Sequence, residues 1–114
     1  MLKENAVFTE MRLNPISSYS AGEGRAYFAW DHSVAMHLNE LEMNDTLFDG
    51  EIHDFISTLR RAGIDNFVFT CPTTSVFKIL HSFEAEGCKL GELCAVTRKG
   101  RWDTSTVKGI RIKI

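Results

Sequence analysis

The chain has 114 residues, 44% of them hydrophobic and 25% charged, with a formal net charge of −2. This composition excludes a disordered chain or a continuous coiled coil, and the length suits one domain that buries roughly two-thirds of its unfolded surface. The longest apolar run, Ala26 to Trp30, is too short to cross a bilayer.

Residues 1–24 read as an irregular N-terminal arm, because Asn14 to Gly24 is rich in Ser, Gly and Pro. Short apolar pieces at Val7-Phe8 and Met11 offer it points of attachment. From Tyr27 the spacing becomes helical: Tyr27, Trp30, Val34, Leu38 and Leu41 fall on one stripe. A short strand over Ala26–Trp30, with Asp31 or Ser33 capping a helix behind it, is the alternative. A second helix carries Phe48, Ile52, Phe55, Ile56 and Leu59 on its apolar face. Asp49 and Glu51 stand near its start, Arg60 and Arg61 at its end, and Gly63 stops it.

Ile64 to Thr70 reads as a strand buried on both faces, ended by Pro72. Thr73, Thr74 or Ser75 then caps a helix with Val76, Phe77, Ile79, Leu80 and Phe83, which closes at Gly87. A strand around Leu93–Thr97, a turn at Lys99-Gly100 and an alternating strand over Lys108–Ile114 complete the chain. The predicted order is α-α-β-α-β-β. It gives a small single α/β (α+β) domain over residues 25–114, with a short three-stranded mixed sheet packed with helices. The strand–helix–strand unit is expected to be a right-handed parallel crossover, and the last two strands an antiparallel hairpin.

Charge is unevenly divided. Residues 1–57 hold three basic and ten acidic side chains, and residues 58–114 hold ten basic and five acidic, so the −2 is a cancellation of −7 against +5. Glu40, Glu42, Asp45, Asp49, Glu51 and Asp54 occupy fifteen residues without a Lys or Arg. Within this row the carboxylates of Glu42, Asp45, Asp49 and Glu51 can partly imitate spaced phosphates and occupy a basic groove on another protein. Arg98, Lys99, Arg101, Trp102, Arg111 and Lys113 near the other end combine cations with a stacking ring, the ingredients of nucleic-acid binding. Complementation of the two sets, within the fold or head to tail between copies, is the competing reading.

The remaining chemistry centres on Cys71, Thr73, Thr74 and Ser75, which follow a strand and open a helix, where free N–H groups favour a thiolate or a bound anion. Phe67 to Thr73 resembles the peroxidatic-cysteine site of peroxiredoxins, which runs Phe-x-Phe-x-Cys-Pro-Thr in many members. That resemblance implies Cys71 as a peroxide-attacking thiol. Val68 replaces the family's hydroxyl residue and Ile64 its proline, so the pattern stops at the run itself. His32 and His37 stand five apart, a poor spacing for two ligands on one helix face. No metal, cofactor or catalytic constellation is expected. Cys71, Cys88 and Cys94 form no CxxC pair, and no apolar stretch follows Met1–Asn5, so the expected setting is the reducing cytoplasm.

Met43-Asn44, Phe48-Asp49-Gly50-Glu51-Ile52, Leu59, Ala62-Gly63-Ile64, Phe67-Val68-Phe69-Thr70 and Thr74-Ser75 together resemble an uncharacterised family. The sequence is similar, over roughly residues 24–114, to small cytosolic proteins encoded on bacterial plasmids, integrative elements and phages. The resemblance carries over no functional residue, and it implies accessory roles that include inhibition of host defence nucleases such as CRISPR effectors. The resulting expectation is a non-enzymatic accessory protein, anti-CRISPR-like, that binds another protein or a protein–nucleic-acid complex. A homodimer is a further arrangement, and no membrane partner is expected. The alternatives are a small-ligand or redox protein using the Cys71–Ser75 turn, and nucleic-acid binding through the basic C-terminal hairpin.

Overall fold

The computed structural model describes residue 2 and residues 5–13 and 18–114, apart from the side chains at positions 6 and 12. Its elements run α1 (Ala6–Leu13), α2 (Ala21–Ala35), β1 (Glu42–Asn44), a 3-10 turn (Asp49–Glu51), α3 (Ile52–Arg61), β2 (Asn66–Thr70), α4 (Val76–Ala85), β3 (Lys89–Lys99) and β4 (Thr104–Lys113). The four strands form one mixed sheet in the order β1-β2-β4-β3.

Two elements go beyond the predicted order. The part of the expected irregular arm at residues 6–13 is a helix, started by Asn5, whose Oδ1 accepts the Val7 N–H at 2.9 Å. It is held by buried Phe8 and Met11, and the Phe8 ring stacks on Trp30 with centroids 5.2 Å apart. The 14–17 part of that arm lies outside the described residues. The second addition, β1, makes the sheet four-stranded. It pairs in parallel with β2, setting Glu42 beside Val68 and Asn44 beside Thr70. The adjacent parallel crossover is therefore β1-α3-β2. In the unit expected at β2-α4-β3 the two strands are parallel but not neighbours, because β4 lies between them and is antiparallel to both.

The first long helix starts earlier and ends earlier than its apolar stripe indicates. Ser20 and Glu23 form a reciprocal capping box before α2. At the other end His37 adopts a left-handed φ of 57°, and the Leu38 N–H returns to the Ser33 carbonyl at 3.0 Å. This turn releases Leu38 and Leu41 from the helix. Gly63 and Gly87 close α3 and α4 in the same way, with positive φ of 75° and 86°.

All four helices contribute to a core on one face of the sheet. Phe55, Phe67, Phe83 and Phe69 form an edge-to-face chain with centroid spacings of 5.2–5.4 Å. The opposite face holds a smaller cluster of Leu38, Val68 and Val96, with Cys94 and Val107 packed against it. Gly109 faces Cys94 across the β3–β4 ladder, and a Cβ there would lie 2.6 Å from Val68 Cγ1. The bare glycine lets the hairpin cross closely over β2. No helix among the described residues is long and apolar enough to cross a membrane.

Candidate functional site

The two charged sets identified in the sequence meet each other inside the fold. Glu42 begins β1 and is 1% exposed. Arg98 Nε donates to its Oε1 at 2.9 Å, and Arg98 Nη2 donates to Oε2. Thr70 Oγ1 donates to Oε2 at 2.5 Å, and His32 Nε2 lies 3.0 Å from Oε1. The Glu42 N–H is received by Ser33 Oγ at 2.9 Å. Burial pushes the Glu42 carboxyl up, but the hydrogen bonds from Arg98, Thr70 and His32 and the Arg98 charge outweigh it, bringing the pKa down to about 2. Reciprocally, Glu42 raises the Arg98 pKa.

Glu40 takes Arg111 in the same bidentate manner, with Nε at 3.0 Å and Nη2 at 2.6 Å, while Arg111 Nη1 reaches Glu92. Its hydrogen bonds to both carboxylates, Glu40 first, raise the Arg111 pKa. Arg25 Nε lies 3.3 Å from both Glu51 carboxylate oxygens, and its guanidinium sits 5.8 Å from the Phe48 ring centroid. Asp49 receives Ser82 Oγ. Of the expected acidic surface, Glu42 is thus an interior residue, Glu40 and Glu51 are occupied by arginines, and Asp45 and Asp54 are exposed. Of the expected basic surface, Arg98 and Arg111 are spent on internal pairs.

The remaining cations are arranged differently. β2 ends at Thr70, and its register with β4 stops at Ile110, so beyond that point the hairpin continues as a two-stranded arm that rests on Leu38 through Val96 and on the Met36 carbonyl through the Lys99 N–H, leaving its tip exposed. Residues 101–106 at its end are all exposed. Trp102 at the tip is 87% exposed, with the Arg101 guanidinium 5.1 Å from its ring centroid. Lys99, Arg101 and Lys108 on this arm enter no ion pair among the described residues. Lys113 is exposed at the far end of β4 and does not join them.

Cys71, Thr73 and Ser75 line a crevice of about 570 Å³ between the β1–α3 and β2–α4 connections. Phe48, Phe69 and Ile79 supply apolar lining, and Asp45, Asp49 and Lys78 supply charge. Cys71 is half-buried, with Sγ 3.3 Å from Thr73 Oγ1. Ser75 occupies the N-cap of α4 in a helical conformation, and its side chain makes no capping bond. Two smaller clefts, of about 320 and 260 Å³, flank the buried Glu42. Among the described residues no group of three or more His, Cys, Asp or Glu side chains is placed to hold a metal ion.

The Glu42 cluster is the part of this arrangement that no local pattern reveals. Glu42 and Arg98 are 56 positions apart, and Glu40 and Arg111 are 71 apart. The opposed charge totals of the two halves are the one sequence signal that anticipates the pairing.

These features define a small α+β domain with an internally neutralised charge set and a hairpin with an exposed cationic tip. The chain belongs to a family described as a domain of unknown function, DUF7698, whose model matches residues 25–114. No curated protein and no solved structure matches it.

Proposed function

We propose that this domain is a non-enzymatic binding protein that engages a macromolecular partner through the β3–β4 arm. The observation that carries the reading is Trp102, 87% exposed at the tip with Arg101 over its ring, on an arm where Lys99 and Lys108 also enter no ion pair among the described residues. Trp and Arg are the residues that most often anchor interfaces, because each buries a large area and keeps a polar handle. Nothing in the core requires Trp102 at its position. The biological setting we propose is an accessory role on a mobile element or phage, with a host defence nuclease as one such partner. That setting rests on the sequence resemblance.

Retention of a partner from a lysate of the native host tests the surface. The Arg101→Ala/Trp102→Ala variant is expected to fold normally and lose the partner. Equal retention by that variant overturns the proposal.

A second reading, single-stranded nucleic acid as the partner, is favoured by the combination of a stacking ring with Lys99, Arg101 and Lys108. Titration of Trp102 fluorescence with oligothymidylate at low salt is expected to show salt-sensitive quenching if this reading holds. Absence of quenching removes it and leaves a protein partner.

A further inference from the structure

The edge of the sheet at β3 is built to accept another strand. Gly100 N–H bonds to the Asp103 carbonyl at 2.9 Å across the hairpin loop, so Lys99, the next pair down, turns its backbone groups away from β4. Lys99 N–H accordingly donates outward, to the Met36 carbonyl at 3.1 Å. The two-residue period of a strand turns Thr97, Ala95 and Leu93 the same way. These three have no backbone partner among the described residues on that side. Leu93 is also 80% exposed, an unusual apolar investment on a sheet edge.

We infer that this edge pairs with the same edge of a second copy, antiparallel about a twofold axis through Ala95. In that register Ala95 faces Ala95 of the other copy and Leu93 faces Thr97 in both directions. The outward groups at all three positions then close a run of six backbone hydrogen bonds. The faces also match. Glu92, which reaches Arg111, and Arg98, which reaches Glu42, lie on one face of the sheet with Cys94 and Val96. The twofold sets Glu92 opposite Arg98 twice and continues the Cys94–Val96 patch across the seam. On the other face Leu93 gains Thr97 and, diagonally, Ala95 of the second copy as cover.

Other registers fit worse. A shift of one residue opposes outward to inward groups and turns each face over. A shift of two in one direction brings in Lys99, whose N–H is already bonded to Met36, and in the other brings in the bulge between Leu90 and Leu93. Either shift separates Glu92 from Arg98. The pairing joins two four-stranded sheets into one of eight and leaves both arm tips free, roughly 45 Å apart at the rise of an antiparallel strand.

Sedimentation equilibrium of the full chain tests this inference. The wild type is expected to dimerise reversibly. Ala95→Asp and Ala95→Lys each oppose like charges at the axis and are expected to weaken association at least tenfold, with thermal midpoints of the monomer unchanged because the methyl is exposed. Mixing the two variants is expected to restore dimers, since Asp then faces Lys. A wild type that stays monomeric, single variants that dimerise as well as wild type, or a mixture that fails to recover would each overturn the twofold at Ala95.

Discussion

Glu42→Gln isolates what the buried carboxylate contributes to stability. The side chain keeps its shape but loses its charge, leaving the Arg98 guanidinium against a neutral amide that has one acceptor oxygen instead of two. In the folded protein the Glu42 pKa falls from an ordinary 4.5 to about 2. At about 1.4 kcal/mol for each tenfold change in proton affinity, the ionised form stabilises the fold by about 3 kcal/mol. That figure agrees with the general cost of removing one partner from a buried ion pair, about 3–5 kcal/mol. The sign follows from which state binds the proton more tightly. The folded state binds it less tightly than the unfolded chain, so the contribution is complete above pH 4.5 and is lost as the pH falls towards 2. Urea unfolding of wild type and Glu42→Gln is the assay, because the other carboxylates cancel in the difference. The variant should be less stable by about 3 kcal/mol at pH 7, with the gap narrowing to about 1 kcal/mol by pH 3. A gap that is absent at pH 7, or that stays constant down to pH 3, would refute the assignment of Glu42 as the pH-dependent element.

Two glycines should respond in opposite directions. Gly109→Ala sets a methyl 2.6 Å from Val68 Cγ1 and 3.0 Å from the Phe69 carbonyl oxygen, and thermal unfolding should register a loss of about 1–3 kcal/mol. Gly24→Ala meets no atom within 4 Å, and it should stabilise α2 by about 0.5–1 kcal/mol in the same measurement. Phe83→Ala removes the ring that contacts both Phe67 and Phe69, so denaturant unfolding should show a loss of about 3–5 kcal/mol. His53 Nδ1 lies 2.9 Å from Glu86 Oε2, which raises the histidine pKa above its ordinary 6.5. Its NMR titration midpoint should return to the ordinary range in Glu86→Gln.

What was legible in the sequence followed the strength of the local pattern. α3 carries an apolar face, acidic residues first and basic residues last, and a glycine stop, and it lies where that pattern indicates. β2 is marked by an apolar run buried on both faces, whereas the closing hairpin is legible only in part: its strands extend to Lys89–Lys99 and Thr104–Lys113, beyond the expected Leu93–Thr97 and Lys108–Ile114. α1 escaped because eight residues with Phe8 and Met11 as buried apolar anchors are too few for periodicity to stand out, and its stability comes from packing on Trp30. β1 escaped because it has three residues and its first is charged. Leu41-Glu42-Met43 alternates apolar with acidic, which suggests a wet face, whereas Arg98 arrives from the distant hairpin and keeps that face dry. The charge totals were visible, but their meaning was not: ion pairs between residues 56 and 71 positions apart leave no local trace. The separation of paired Arg98 from its unpaired neighbour Lys99 likewise depends on which side chain faces Glu42 in the folded hairpin.

The proposed role of the arm is tested most directly by photo-crosslinking of the native partner. A photoreactive amino acid is placed at position 102 in one preparation and at position 54, among the exposed acidic residues, in another. Specific crosslinking from position 102 and none from position 54 is the predicted result. Crosslinking confined to position 54 would contradict it.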